Sequence, residues 1–291
     1  MKKNQYYKLA RPDGWDFYSG KTINYRESIG KRVKCPTRFS GTTSKEKQTF
    51  ILCSADVLHA CLNPNDCFVG AKIPCSAYLI EGKSVIDDGK KFGFRELKVI
   101  REIKDLDKLF GFKYMEAIDP IHPFRLGKKQ PTKEDIRLLK YWASVRDSVK
   151  GFLGNSVWDS VGDSVGDSVW DSVRDSVWKS VGDSVWDSVW HSVWNSVGNS
   201  VRNSVGDSLS NSVWAYIGSL FPNIKKWRYI IHKEGEYPFQ SAIDLWKRGF
   251  IASFDGKLWR LHSGRNAKVV YEWGPYTRKS KLEEKKNANR I

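Results

Sequence analysis

The 291-residue sequence predicts an α+β protein in which a repeat array joins two small modules. Three observations carry that reading. Residues 1–130 alternate short strand-like runs with turn signals, the pattern of a small α+β domain. Residues 143–218 repeat a tetrapeptide of the form (Asp/Asn)-Ser-Val-(Trp/Gly/Arg) through nineteen units. Residues 219–278 give a helical stretch, a hairpin and a third strand, a second small α+β module. Residues 131–142 read as a helix leading into the array, and 279–291 as a charged tail.

Within the N-terminal domain, residues 50–53, 75–80 and 94–103 are apolar, β-branched or alternating runs and are predicted strands. Residues 54–62 read as a short helix, with Ser54 as its cap and Pro64 beyond its end. All five cysteines lie between Cys35 and Cys75. Cys53, His59, Cys61 and Cys67 are candidate zinc ligands. Their spacing, Cys-x5-His-x-Cys-x5-Cys, lacks a Cys-x2-Cys knuckle, so buried structural thiols are the adopted reading and no cofactor is expected.

At the entry to the array, Thr132-Lys-Glu-Asp135 has the form of a helix N-terminus. Ile136, Leu139 and Trp142 continue at helical spacing into the first unit. In the array Ser and Val hardly change, while the positions on either side do. A valine every fourth residue drifts about 40° per unit around an α-helix, so one continuous helix would keep no apolar face. Val, Ser, Asp and Gly are also poor helix formers. A β-solenoid with Val inward and Asp or Asn at its corners is the favoured expectation, with helical segments as the alternative. Seven Trp and three Arg at the variable positions would then form an outward stacking surface, able to support self-association or simply to space the two modules.

In the C-terminal module, Pro238 to Gly249 reads as a helix, with Ser241 near its start and Gly249 as its stop. Asp255-Gly256 is a hairpin turn between strands at 250–254 and 257–262, and 268–273 is a third strand. Lys225, Lys226, Arg228, Lys247, Arg248, Trp259 and Arg260 are the candidate nucleic-acid-binding residues, because basic side chains interleaved with aromatics suit a single strand. Trp246 and Trp273 read as core.

Charge sharpens the division. Residues 1–142 carry 28 Lys/Arg against 17 Asp/Glu, 143–218 carry 5 against 9, and 219–291 carry 16 against 7. The basic ends suit a polyanion or protein partner. The first residues lack the apolar segment of a secretory signal, and no run approaches the ~18 apolar residues of a membrane span. A cytoplasmic protein with reduced thiols, not associated with membranes, is the expectation.

The run from Tyr6-Tyr7-Lys8 through Leu52-Cys53, His59-Ala-Cys61 and Asn63-Pro64 resembles an uncharacterised domain common in phage genomes. That family has Gly-Phe where Val57-Leu58 stands here. The array, with Pro238-Phe-Gln-Ser-Ala-Ile-Asp-Leu-Trp and Phe254-Asp-Gly-Lys-Leu-Trp-Arg-Leu-His after it, is similar to hypothetical proteins of phage and metagenomic origin. These resemblances imply a phage-encoded protein and no activity. A more distant similarity is to the ADP-ribosyltransferase fold, which implies Arg11 and Glu96 as catalytic residues acting on NAD. The functional expectation is a non-enzymatic binding or scaffold protein, with nucleic-acid binding and ADP-ribosyl transfer as alternatives.

Overall fold

The computed structural model describes residues 5–36, 50–52, 54–149, 153–165 and 202–274 and, within the array, 173, 174, 178, 186 and 189–193. The chain is a mixture of helix and strand and divides into two compact units. One unit is Met1–Met115 with Val165–Ser176, and the other is Glu116–Ser164 with Val177–Ile291. That boundary after Met115 differs from the sequence boundary at 130, and array residues belong to both units.

The first unit is built on an antiparallel sheet of seven strands: β1 Gln5–Ala10, β2 Arg32–Lys34, β3 Leu58–Cys61, β4 Ser76–Gly82, β5 Ile86–Asp87, β6 Lys91–Phe94 and β7 Glu96–Ile103. Their order across the sheet is β2-β7-β4-β1-β3-β6-β5. β1 pairs with β4 along its whole length, from Gln5 opposite Glu81 to Ala10 opposite Ser76. Tyr6, Ala10, Leu58, Ala60, Tyr78, Ile80, Phe92 and Phe94 pack as the core with Tyr25. Burial of this apolar area is the main stabilising contribution. Two short helices follow, α1 Leu106–Phe110 and α2 Tyr114–Ile118. Phe68, Phe110, Phe112 and Tyr114 form a second buried aromatic group.

Two sequence expectations fail here. Residues 50–52 are not strand, and Cys53 lies outside the described residues. The helix expected over 54–62 is replaced at its C-terminal half by β3. The Ser54 hydroxyl donates to the Ile51 carbonyl and accepts from the Asp56 amide, so it closes a turn rather than capping a helix. β3 hydrogen-bonds to β1 on one side and β6 on the other, and that two-sided pairing outweighs a weak local helix signal. Gly93 permits the fit: a Cβ there would stand 2.7 Å from Ile86 Cγ2 and 3.0 Å from Val57 Cγ2.

The second unit contains α3 Lys133–Val149, α4 Leu153–Val165, α5 Arg202–Ser219 and α6 Gln240–Lys247. Strands β8 Phe250–Phe254, β9 Trp259–Ser263 and β10 Lys268–Trp273 form a sheet in the order β10-β9-β8. α3 begins as its sequence predicts. The Asp135 carboxylate accepts from the Thr132 amide and hydroxyl, each at 2.7 Å, and Thr132 Oγ1 accepts from the Asp135 amide at 3.3 Å. The hairpin also forms as expected, with Gly256 at φ 91° and Asp255 Oδ1 accepting from the amides of Lys257 and Leu258. Tyr216 of α5 stacks on Trp246 of α6 at 4.9 Å, and Trp246 Nε1 donates to the Ile121 carbonyl.

The described array residues are helical, so among them the solenoid expectation fails. In α4, Ser156, Val157, Ser160 and Val161 are buried while Asn155 is exposed. In α5, Val205, Ser208, Leu209, Ser212 and Val213 are buried and Asp207 is exposed. The drift argument holds for one uninterrupted helix and fails for short ones. Across Val205, Leu209, Val213 and Ile217 the accumulated drift is only about 120°, an arc that one helix face can bury. Packing of that face then overrides the poor intrinsic propensities. Ser side chains are small, and Ser212 Oγ donates back to the Ser208 carbonyl at 3.1 Å. Nor do the described array tryptophans form one open stacking surface. Trp178 stacks on Trp214 at 5.0 Å, and Trp186 lies against Trp190 at 5.5 Å.

Candidate functional site

The first unit holds a cavity of about 650 Å³, within the range of small-molecule sites. Several segments wall it. β1 supplies Lys8 and Leu9, β3 supplies residues 58–61, the 3₁₀ turn Pro64–Val69 supplies Asp66 and Cys67, and β6 supplies Lys91. The sheet order brings them together, because β1, β3 and β6 are consecutive strands. Tyr7 of β1 stands opposite Cys61, and Cys61 stands opposite Lys91. The 3₁₀ turn starts at Pro64 and is capped by the Asn63 side chain, which accepts from the Asn65 amide.

The loop after β1 also lines the cavity with Asp16, Ser19, Thr22, Ile23 and Tyr25. Asp16 organises that loop. Its carboxylate accepts from the Ser19 amide at 2.7 Å, the Ser19 hydroxyl at 2.9 Å, the Thr22 amide at 3.2 Å and the Ile23 amide at 3.3 Å. Burial alone would raise the Asp16 pKa, but these hydrogen bonds outweigh it and hold the carboxyl below its usual range.

Lys8 is half-buried and lines the cavity, with its Nζ 5.4 Å from the centroid of the Tyr25 ring. Burial lowers its pKa from the ordinary lysine value and Lys91 adds to that, while Cys67, Asp16 and Cys61 act in the opposite direction. Burial, with Lys91 and Lys8 nearby, also lowers the His59 pKa to about 4, so this imidazole is neutral at physiological pH. The Cys67 thiol is within reach of both the Tyr7 carbonyl, at 3.2 Å, and the Cys61 sulfur. That hydrogen bond lowers the Cys61 pKa and, with burial, raises that of Cys67. The cavity therefore presents amines, a neutral imidazole and thiols against apolar walls from Leu9, Ile23, Val57 and Leu58.

The structure places the sequence candidates differently. Arg11 and Glu96 do not meet. Ser76, opposite Ala10, and Gly82, opposite Leu97, are the two ends of β4, so Arg11 and Glu96 are about 20 Å apart at ~3.3 Å per residue. Arg11 pairs with Asp13 at 2.9 Å. Glu96 pairs with Arg32 at 2.6 Å and Lys34 at 3.8 Å, and the Arg32 hydrogen bond leads in holding its carboxyl below the usual range. Of the zinc candidates, His59, Cys61 and Cys67 all line the cavity and Cys53 lies outside the described residues. Among the described residues no three His, Cys, Asp or Glu side chains converge on a position for one metal ion.

The basic-aromatic set also separates. Trp259 is 3% exposed and packs on Phe254, so it is core. Arg260 is held by Asp255 at 2.5 Å and Glu272 at 2.7 Å. Arg248 binds Asp135 at 2.5 Å, and Lys247 lies 3.8 Å from Glu116. Lys225, Lys226 and Arg228 remain exposed, on the loop before α6.

Sequence reasoning missed Lys8, Asp16, Tyr25 and Lys91. Lys8 alone left a signal: Tyr6, Lys8 and Ala10 share the buried phase of a strand, where a charged residue is unusual. No family model, curated protein or solved structure matches the chain. No helix among the described residues is long and apolar enough to cross a membrane.

Proposed function

We propose that the chain is a non-enzymatic binding protein whose first unit takes a small anionic ligand, and whose array helices and C-terminal strands serve as scaffold. One observation carries the reading: two lysines, Lys8 and Lys91, line a cavity of about 650 Å³ that also has apolar walls. A ligand with one carboxylate or phosphate and a small apolar body matches that lining, since half-buried ammonium groups favour anions and the walls favour carbon. The four described cysteines form no disulfide, which suits a reducing compartment such as the cytoplasm. A thermal-shift screen of aromatic carboxylates and phosphate monoesters tests the reading. Ligands should raise the melting temperature of the wild-type chain, and Lys91→Met should remove the rise. A panel without hits, or hits insensitive to Lys91→Met, would overturn it.

Nucleic-acid binding is a second reading, favoured by three exposed basic residues on one loop, Lys225, Lys226 and Arg228, with Tyr229 61% exposed beside them. Filter binding of single-stranded DNA should weaken steeply with salt and be lost on replacing those three by alanine. Retention that ignores salt and these substitutions would remove this reading.

A further inference from the structure

We propose that the Lys8 amine captures the carbonyl of an anionic aldehyde or oxo acid as a reversible imine inside the cavity. This deepens the cavity-binding reading and rests on it. Lys8 extends from β1, which is paired on both sides by β4 and β3, so its backbone is fixed by the sheet. The side chain follows the buried phase of the strand to the cavity beside Tyr25. A lysine held this way is a chemical feature rather than a solvated surface charge, because its desolvation needs compensation that a bound ligand can supply.

Imine formation requires a neutral amine. The groups around Lys8 are Asp16 from the loop after β1, Cys61 from β3, Cys67 from the 3₁₀ turn, Lys91 from β6 and the Tyr25 ring. Asp16 and the two sulfurs favour the ammonium, while burial and Lys91 favour the neutral form, and the balance holds the Lys8 pKa below the ordinary lysine value, so more of the amine is neutral than at a solvated lysine. This is the route by which a desolvated lysine beside a second cation becomes nucleophilic. In the step itself the nitrogen lone pair attacks the carbonyl carbon, and the C=O π pair moves to oxygen. Proton transfer from nitrogen to oxygen gives the carbinolamine. The C–O bond then breaks and one water leaves, carrying the second N–H proton, to give C=N. The neutral His59 imidazole, which also lines the cavity, can relay these protons. Hydrolysis reverses the sequence, and no oxidant or reductant is involved. Lys91, from the neighbouring part of the lining, provides charge for the ligand's anionic group.

The test uses the full chain with pyridoxal 5′-phosphate, an anionic aldehyde, followed by borohydride reduction and peptide mapping. With less than one equivalent of aldehyde at pH 7, labelling at Lys8 should exceed the mean of the other lysines several-fold. Lys8→Arg removes the nucleophilic amine and should abolish that adduct; loss of the Lys8 excess when the wild-type chain is unfolded in urea before labelling provides the same discrimination should the variant fail to fold. Labelling that tracks surface exposure and leaves Lys8 unmodified would overturn the imine. The carboxylate 4-pyridoxic acid, which has no aldehyde, separates the two claims. If it binds and Lys8 is never trapped, the cavity reading stands and the imine falls; if neither compound binds, both fall.

Discussion

Truncation of Leu209 to alanine, set against Asp207→Ala two residues earlier, probes how the array is built. Leu209 of α5 is fully buried, whereas Asp207 is exposed on the same helix. Leu209→Ala removes three carbons, worth about 2.4 kcal/mol at ~0.8 kcal/mol each. A residual cavity adds to this, for a total of roughly 3–4 kcal/mol. Leucine and alanine have similar helix propensities, so little is returned. At ~2–4 °C per kcal/mol for a unit of this size, the melting temperature should fall by roughly 6–16 °C. Asp207→Ala should act oppositely, because alanine is the better helix former by up to about 0.7 kcal/mol in the helix interior. Thermal melts followed by far-ultraviolet circular dichroism and tryptophan fluorescence give both numbers. An unchanged melt for Leu209→Ala, or a loss for Asp207→Ala as large as that for Leu209→Ala, would refute the reasoning that Ser-Val columns form the buried helix face and the Asp column the outer one.

Asp135→Ala should lower stability by about 1–2 kcal/mol, since it removes the cap of α3 and leaves Arg248 without its carboxylate, as a urea titration would read. Burial works against the Asp135 carboxylate, but Arg248 and Thr132 outweigh it and the folded pKa lies below the unfolded one. Its contribution is therefore complete above the unfolded value near pH 4 and disappears as pH falls through the folded value. His262 behaves as a second pH probe. It is fully buried between Ser253 Oγ at 2.7 Å and the Ala267 carbonyl at 2.9 Å, and burial lowers its pKa to about 4. The unfolded chain holds the extra proton between pH 4 and about 6.5, so stability should fall by about 3 kcal/mol as pH drops across that window. Melts at pH 7 and pH 4 on wild type and His262→Gln should show this component only in the wild type.

What could be read from the sequence was local. The Thr132–Asp135 cap, the Asp255-Gly256 turn and the run Lys268–Trp273 each rest on residues within a few positions of one another, and each forms as read. β3 was misread because its partners, β1 and β6, lie far from it in sequence, while the helix signal at Ser54 lies next to it. In the described array segments the four-residue period fits helices of 13 and 18 residues, because the drift that defeats one long helix stays small over so short a span. The cavity was nearly invisible for the first of these reasons. Lys8, Asp16, Cys61 and Lys91 carry no shared motif, and only the sheet order places them together. Arg11 and Glu96 show the converse: residues chosen from a resemblance, which the strand register sets at opposite ends of the sheet.

The central claim is that the cavity beside Lys8 is a ligand site, and chemical-shift mapping tests it most directly. A nitrogen-15 labelled full chain titrated with 4-pyridoxic acid and a panel of small carboxylates and phosphates should give saturable shifts. The account predicts that they centre on Lys8, Tyr25, Cys61 and Lys91 and vanish in Lys91→Met. Shifts that do not saturate, or that centre on Lys225, Lys226 and Arg228 instead, would contradict it.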